Sequence, residues 1–343
     1  MMRRTSIYSL LLVICLLCWV EFLPAQGTVT KVGTTVAQFL KIGMGARTMG
    51  MGGAGVASVN DATALYWNPA IPANFAKGDA VLLHTNWLVE TDLNYTSVVL
   101  PVGRIGTFGL SATSLSMGDM AVRTVERPEG TGEYFTAEDV AIGISYSRAL
   151  TDFFSIGFHG KYIRQQIWQT SASSFAFDFG TIYHSNNNRI HLGAAVSNFG
   201  SKMQFTGKSL RFEHDLNYNT FGDNEHIPAM FHTSEWDLPL LFRVGVAVDF
   251  PDLALGDLTV EADAVHPNDN TEQVNLGVEY TLFNLLSIRA GYQSLFLADA
   301  ENGFTAGLGV HHTVGEIVVR ANYAYTEFGR FTYVSRFEFG MQF

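Results

Sequence analysis

The chain has 343 residues, 47% of them hydrophobic and only 15% charged, with a formal net charge of −11. Soluble proteins average about 25% charged residues, and so acidic a chain is a poor partner for nucleic acid. Beyond the N-terminus no apolar run approaches the ~20 residues of a membrane helix. The hydrophobicity is instead spread through short alternating segments.

Arg3 and Arg4, the apolar stretch 7–20 and Ala25 read as a signal peptide over residues 1–25. A single membrane anchor is the alternative reading, opposed by the shortness of the core. Cys15 and Cys18 are the only cysteines and both fall in this segment, so the mature chain is expected to have no thiol, disulfide or cysteine metal site. Removing it, with Arg3, Arg4 and Glu21, moves the formal charge from −11 to −12.

A Gly-rich stretch follows. From there the alternation of apolar and polar residues predicts strands over 80–88, 93–102, 105–117, 138–149, 154–166, 173–184 and 190–198, then 240–249, 257–266, 272–280, 286–293, 303–311, 316–325 and 331–343. That is an all-β chain of about fourteen strands, an even number within the range of bacterial outer-membrane barrels. The links after even-numbered strands are all short. The links 118–137 and 199–239, both after odd-numbered strands, are the longest. Short periplasmic turns and long outer loops are the barrel pattern.

The two faces of each strand differ in kind. Val260, Ala262 and Ala264 oppose Glu261 and Asp263; Val274, Leu276 and Val278 oppose Asn275 and Glu279; Val319, Ala321 and Tyr323 oppose Arg320 and Asn322; Phe175, Phe177 and Phe179 oppose Asp178. Arg243 and Arg289 also fall on polar faces. A charge facing lipid at mid-depth costs about 2–4 kcal/mol. Arg243, Glu261, Asp263, Glu279, Arg289, Arg320, Arg336 and Glu338 should therefore face the lumen. They read first as paired charges filling it, and otherwise as a transport or ligand site. Trp87, Trp168, Tyr292 and Tyr325 near one set of strand ends, with Phe154, Tyr183, Phe250 and Tyr280 near the other, suit membrane–water boundaries.

The alternation is sharpest in 331–343. Phe331, Tyr333, Phe337, Phe339, Met341 and Phe343 share one parity; Thr332, Arg336, Glu338, Gly340 and Gln342 share the other. Phe337, Phe339 and Phe343 read as the signal by which the barrel-assembly machinery recognises such a strand.

Motifs for chemistry are sparse. Gly50, Gly52, Gly53 and Gly55 approximate a dinucleotide fingerprint but lack its buried strand, following helix and acidic residue. These glycines more simply let backbone pass through a crowded space. His311 and His312 point to opposite faces of a strand and cannot share a metal. No nucleophile elbow occurs. The expectation is a non-enzymatic chain without catalytic residues, cofactor or metal site. The aromatic link 199–239, with Phe205, Phe212, Tyr218, Phe221, Phe231 and Trp236, is read equally as a cover over the barrel mouth or as a partner surface.

Several runs carry a resemblance: Phe39–Gly43; Gly45–Ala46–Arg47–Thr48–Met49–Gly50–Met51–Gly52–Gly53–Ala54; and Asn60–Asp61–Ala62–Thr63–Ala64–Leu65–Tyr66–Trp67–Asn68–Pro69–Ala70. With Leu238–Gly245, Ile288–Tyr292, Tyr323–Tyr325 and Arg336–Phe337, they resemble the PorV/PorQ family across nearly the whole mature chain. Asn322 stands where relatives often carry an acidic residue, a departure that bears on lumen pairing. The resemblance implies a FadL-like outer-membrane barrel with an N-terminal plug or hatch over residues 26–79 and a barrel over 80–343. It places Gly45, Arg47, Gly50, Gly52, Gly53, Asn60, Asp61, Asn68, Pro69 and Ala70 in the plug motif. It also implies a role in type IX secretion, engaging secreted proteins and other secretion components at the outer membrane of a Gram-negative-type bacterium, or alternatively a FadL-like channel for hydrophobic small molecules.

Overall fold

The computed structural model describes residues 31–215, 226–253, 255–297 and 300–343. The signal-peptide segment 1–25, with Cys15 and Cys18, and the link residues Tyr218 and Phe221 lie outside the described residues.

Fourteen strands form one antiparallel barrel: β1 Asp79–Asn86, β2 Thr91–Val102, β3 Gly106–Met117, β4 Ala137–Ala149, β5 Phe154–Ile167, β6 Thr170–His184, β7 Ile190–Gly200, β8 Leu241–Leu253, β9 Gly256–Pro267, β10 Gln273–Leu282, β11 Leu286–Leu295, β12 Asn302–Val314, β13 Ile317–Phe328 and β14 Tyr333–Gln342. Each pairs with its neighbours in sequence. The sheet closes between β1 and β14, where Asp79 lies opposite Gln342 and Asn86 opposite Ser335. Closure leaves no unpaired edge, which a sheet in lipid requires. Every strand expected from the alternation is present.

Turn chemistry fixes the short end. Between β10 and β11, Phe283 and Asn284 both adopt positive φ (53° and 52°). Two such residues give a turn whose twist matches the strands it joins. The long connections carry small hairpins, Met120–Ala121 with Tyr134–Phe135 and Arg211–His214 with Ile227–Met230.

Side-chain parity follows the pleat. Phe337 and Phe339 are 53% and 52% exposed on the outer wall, while Arg336 and Glu338 are 1% and 3% exposed on the inner one. Phe175, Phe177 and Phe179 likewise face out and Asp178 faces in. An apolar exterior around a charged interior is the arrangement that lipid outside and polar groups inside select. Trp87 departs from its expected place at a lipid boundary. It sits in the link after β1, edge-on to Phe328 at 5.5 Å and with the Arg336 guanidinium 5.4 Å from its ring. The charged and aromatic partners available inside outweigh the boundary for this ring.

Candidate functional site

The inner wall meets the N-terminal segment, residues 31–78. Its regular elements are short: a 3₁₀ turn Gln38–Lys41, α1 Ala46–Gly50, α2 Ala64–Trp67 and a second 3₁₀ turn Ile71–Asn74. Helices of four or five residues do not hold themselves in water, so side-chain and wall contacts must fix them. Within the segment, Asp61 accepts the Thr63 backbone N–H at 2.8 Å, and the Trp67 indole donates to the Met44 carbonyl at 2.7 Å. Met44, Met49, Ala64 and Trp67 pack in one buried cluster with Leu83, Leu93 and Tyr95 of the wall.

The wall carboxylates are turned to this segment. Glu338 accepts the Ala46 N–H at 2.6 Å, and Asp263 accepts those of Gly55 and Val56 at 2.8 and 3.1 Å. Glu261 accepts the Ala57 N–H at 2.7 Å and also the Ser58 hydroxyl. Asp79 accepts the Ala62 N–H at 2.8 Å while paired with Arg320 at 2.6 Å. Glu279 is held between Arg47, whose Nη2 lies 2.7 Å away, and Arg289. A hydrogen bond to a charged group contributes about 1.5–3 kcal/mol; here each gives a partner to a buried carboxylate. Asn322 links the set, donating to Glu338 at 2.6 Å and accepting from Arg289 at 2.9 Å. An acid at that position would face Glu338 directly.

The motif residues divide by task. Gly45 (φ 91°) leads into α1, and Gly53 (φ 69°) donates to the Thr48 carbonyl at 2.9 Å just after it. Gly50 packs on Gly307, where an added Cβ would lie 3.0 Å from the Gly307 Cα. Gly52, with φ 69°, leaves no room for a side chain: a Cβ would lie 2.7 Å from the Tyr292 N and 2.8 Å from its carbonyl oxygen. Asn68 donates to the Val56 and Thr181 carbonyls, both at 2.9 Å, and accepts from the Ala70 N–H at 3.1 Å. Pro69 packs on Gly157 of β5, and Asn60 is exposed.

All eight charged wall residues predicted from parity are buried. Arg289 and Arg320 are ion-paired; among the described residues Arg243 and Arg336 have no carboxylate partner. Sequence reasoning missed Asp79, although it shares the inward parity of Val81, Leu83 and Thr85. It also missed Asp269 in the β9–β10 link. One oxygen of Asp269 accepts from Thr35 at 2.6 Å, Gln38 at 2.9 Å and Lys41 at 2.8 Å. Burial by itself would raise the Asp269 carboxyl; the hydrogen bonds from Lys41, Thr35 and Gln38 prevail and hold it below its ordinary value.

The segment borders a cavity at each end of the barrel. At the short-turn end a space of about 760 Å³ is lined by Arg47, Ser58, Asn74, His184, His191 and Asp249, among others. At the long-loop end a space of about 340 Å³ reaches Met49, Gly53 and Trp67. Over that end the connection between β7 and β8 doubles back, with Met203 and Trp236 paired through their backbones. Met203 and Leu238 pack with Phe39, Leu40 and Ile163, so this connection is anchored both to the segment and to the wall. Phe212 and Phe231 stack at 4.4 Å and stay exposed, as does Trp236.

The model of the family described as "Type IX secretion system protein PorV" matches residues 25–231, more than half of the chain. Among solved structures, a FadL homologue from Pseudomonas aeruginosa aligns with a TM-score of 0.53 at 15% identity, covering 88% of this chain and 98% of that one. The toluene transporter TodX of Pseudomonas putida aligns with a TM-score of 0.54 at 13% identity, over 88% and 97%. TbuX, a toluene transporter of Ralstonia pickettii, gives 0.53 at 13% over the same shares. At such identities the likeness is one of fold. No curated protein matches the sequence.

Proposed function

This chain belongs to the PorV family of type IX secretion proteins, on a FadL-like outer-membrane barrel, and we propose that it acts without catalysis by engaging secreted proteins at its long-loop end. The family match carries this reading. It runs through the N-terminal segment and well into the β7–β8 connection, where Phe212, Phe231 and Trp236 offer an exposed aromatic surface beside an anchored base. Exposed aromatic clusters on a rigid support suit protein contacts. In the same reading residues 26–79 form the plug, the short turns face the periplasm, and the outward Phe337, Phe339 and Phe343 serve the barrel-assembly machinery. Deleting the protein should remove type IX cargo from the culture medium and leave it inside the cell. Cargo released at normal levels from the deletion strain would refute the proposal.

A second reading, a channel for hydrophobic small molecules, draws on the loop-end cavity, whose lining includes Met49, Trp67, Trp87 and Leu297. It predicts slower toluene uptake in the deletion strain with cargo secretion intact.

A further inference from the structure

Three cationic side chains, Lys41, Arg243 and Arg336, line the loop-end cavity, and among the described residues no carboxylate does. This is unexpected in a chain of net charge −11. Lys41 is committed to Asp269 at 2.8 Å. The two arginines are 4% and 1% exposed, yet among the described residues each has only neutral company. Arg243 donates to the Ser197 hydroxyl at 3.1 Å and to the Tyr66 hydroxyl at 3.4 Å, with its guanidinium 5.3 Å from the Tyr66 ring and 5.4 Å from that of Trp67. Arg336 donates to the Thr326 hydroxyl at 2.9 Å and lies over Trp87. Its Nε has no hydrogen-bond partner, and neither does the buried Oε1 of Gln293 in the same lining.

A guanidinium has five N–H donors in a fixed fork, so most of these ten donors are unengaged. Burying a charge without its counter-charge is unfavourable by several kcal/mol. The other buried arginines, Arg47, Arg289 and Arg320, all have a carboxylate. Among the described residues nothing neutralises Arg243 or Arg336, which leaves a place for an anion that comes from outside. The planar fork matches a carboxylate, and Trp67, Trp87 and Phe328 supply apolar faces beside it. At about 340 Å³ the space sits near the small end of ligand pockets. It fits a ring or short apolar group with its charge, not a long chain.

We propose that this cavity binds a carboxylate carried next to an aromatic or short apolar group, with Arg243 and Arg336 gripping the carboxylate. The group comes either as a free small acid or as an acidic side chain beside an aromatic residue on a docked polypeptide. The site goes beyond the secretion reading, and binding to it can be measured whether or not secretion depends on this protein.

The test uses the full barrel in detergent with Trp168→Phe and Trp236→Phe, which leaves Trp67 and Trp87 as the tryptophans after residue 25. Phenylacetate, neutral 2-phenylethanol and a capped peptide containing Phe-Glu are each titrated against tryptophan fluorescence. Phenylacetate or the peptide should give a saturable change that weakens with salt. Arg243→Gln and Arg336→Gln should each weaken it by about tenfold or more. Response to phenylacetate alone assigns the site to a small acid; response to the peptide alone assigns it to a polypeptide. The proposal is overturned if 2-phenylethanol binds as well as phenylacetate, if neither anion changes the fluorescence, or if the substitutions leave binding unchanged. Heat-dependent gel mobility checks that each variant is folded; because the two arginines lie on β14 and β8, either one alone suffices if the other variant fails to fold.

Discussion

Arginines sit in opposite settings in the two regions of the lumen. Toward the short turns, Arg47 and Arg289 share Glu279, and Arg320 holds Asp79, while the neighbouring carboxylates take backbone N–H groups of the N-terminal segment. Toward the long loops, Arg243 and Arg336 have, among the described residues, only hydroxyls and aromatic rings as partners. Both regions are buried, so solvent does not explain the contrast. In the first, charge fastens one part of the chain to another. In the second, charge is held ready and structure is supplied by ring packing. Buried ions that are fully paired resist change, whereas buried ions without partners invite one.

The largest effect should come from breaking the fastened region. Glu279→Ala would strand Arg47 and Arg289 together in a buried site, and removing one partner of a buried pair costs about 3–5 kcal/mol. Because the wall keeps its own strand ladders, the expected outcome is release of the N-terminal segment, seen as trypsin cleavage after Arg47 in a barrel that still migrates as folded. Arg336→Ala, in the other region, should leave Arg47 protected. If Arg47 in Glu279→Ala stays as resistant as in the wild type, the fastening role is wrong.

This contrast was only half legible in the sequence. Strand parity is local: in β14 each residue two positions on meets the same surroundings, so Arg336 and Glu338 could be placed inside from spacing alone. Pairing is not local. Glu338 meets the Ala46 N–H across 292 residues, and Asp263 meets Gly55 across 208. No periodicity records which of several inward carboxylates a distant backbone will choose. Gly52 was readable in part, since a glycine cluster outside any helix or turn pattern implies crowding, but its neighbour Tyr292 was not. Trp87 was misplaced for a related reason: a ring at a strand end can turn to lipid or to the lumen, and what decides is Arg336, far away in sequence.

A smaller effect is expected where the fastening reaches the loop end. Asp269→Asn keeps the shape but removes the charge that gathers Thr35, Gln38 and Lys41. Lys41 is partly exposed, so solvent screening limits the loss to about 1 kcal/mol. The pH dependence has a definite sign. A carboxyl held below its ordinary value in the native state contributes stability above the unfolded value, about pH 4, and loses it as pH falls through the lowered native value. Protection of residues 35–41 against hydrogen exchange, taken relative to the intrinsic rate at each pH, should therefore fall below about pH 4 in the wild type, and be lower but nearly flat with pH in Asp269→Asn. A wild-type profile as flat as the variant's would remove Asp269 from the account.

The smallest effect on the fold should come from Phe231, and it tests whether loop-end surfaces serve contact and not stability. Its ring is 61% exposed and touches Phe212 in a stack outside the barrel. Surface substitutions of this kind change stability by about 0.5 kcal/mol or less, so Phe231→Ala should melt with the wild type in detergent. If the β7–β8 connection engages secreted proteins, the same variant should nonetheless lower cargo release, because exposed aromatic rings contribute disproportionately to protein contacts. Glu279→Ala and Phe231→Ala would then behave as opposites, one loosening the segment and the other weakening the contact. Normal cargo release by Phe231→Ala, paired with Trp236→Ala to remove the neighbouring ring, would assign the connection to covering the mouth.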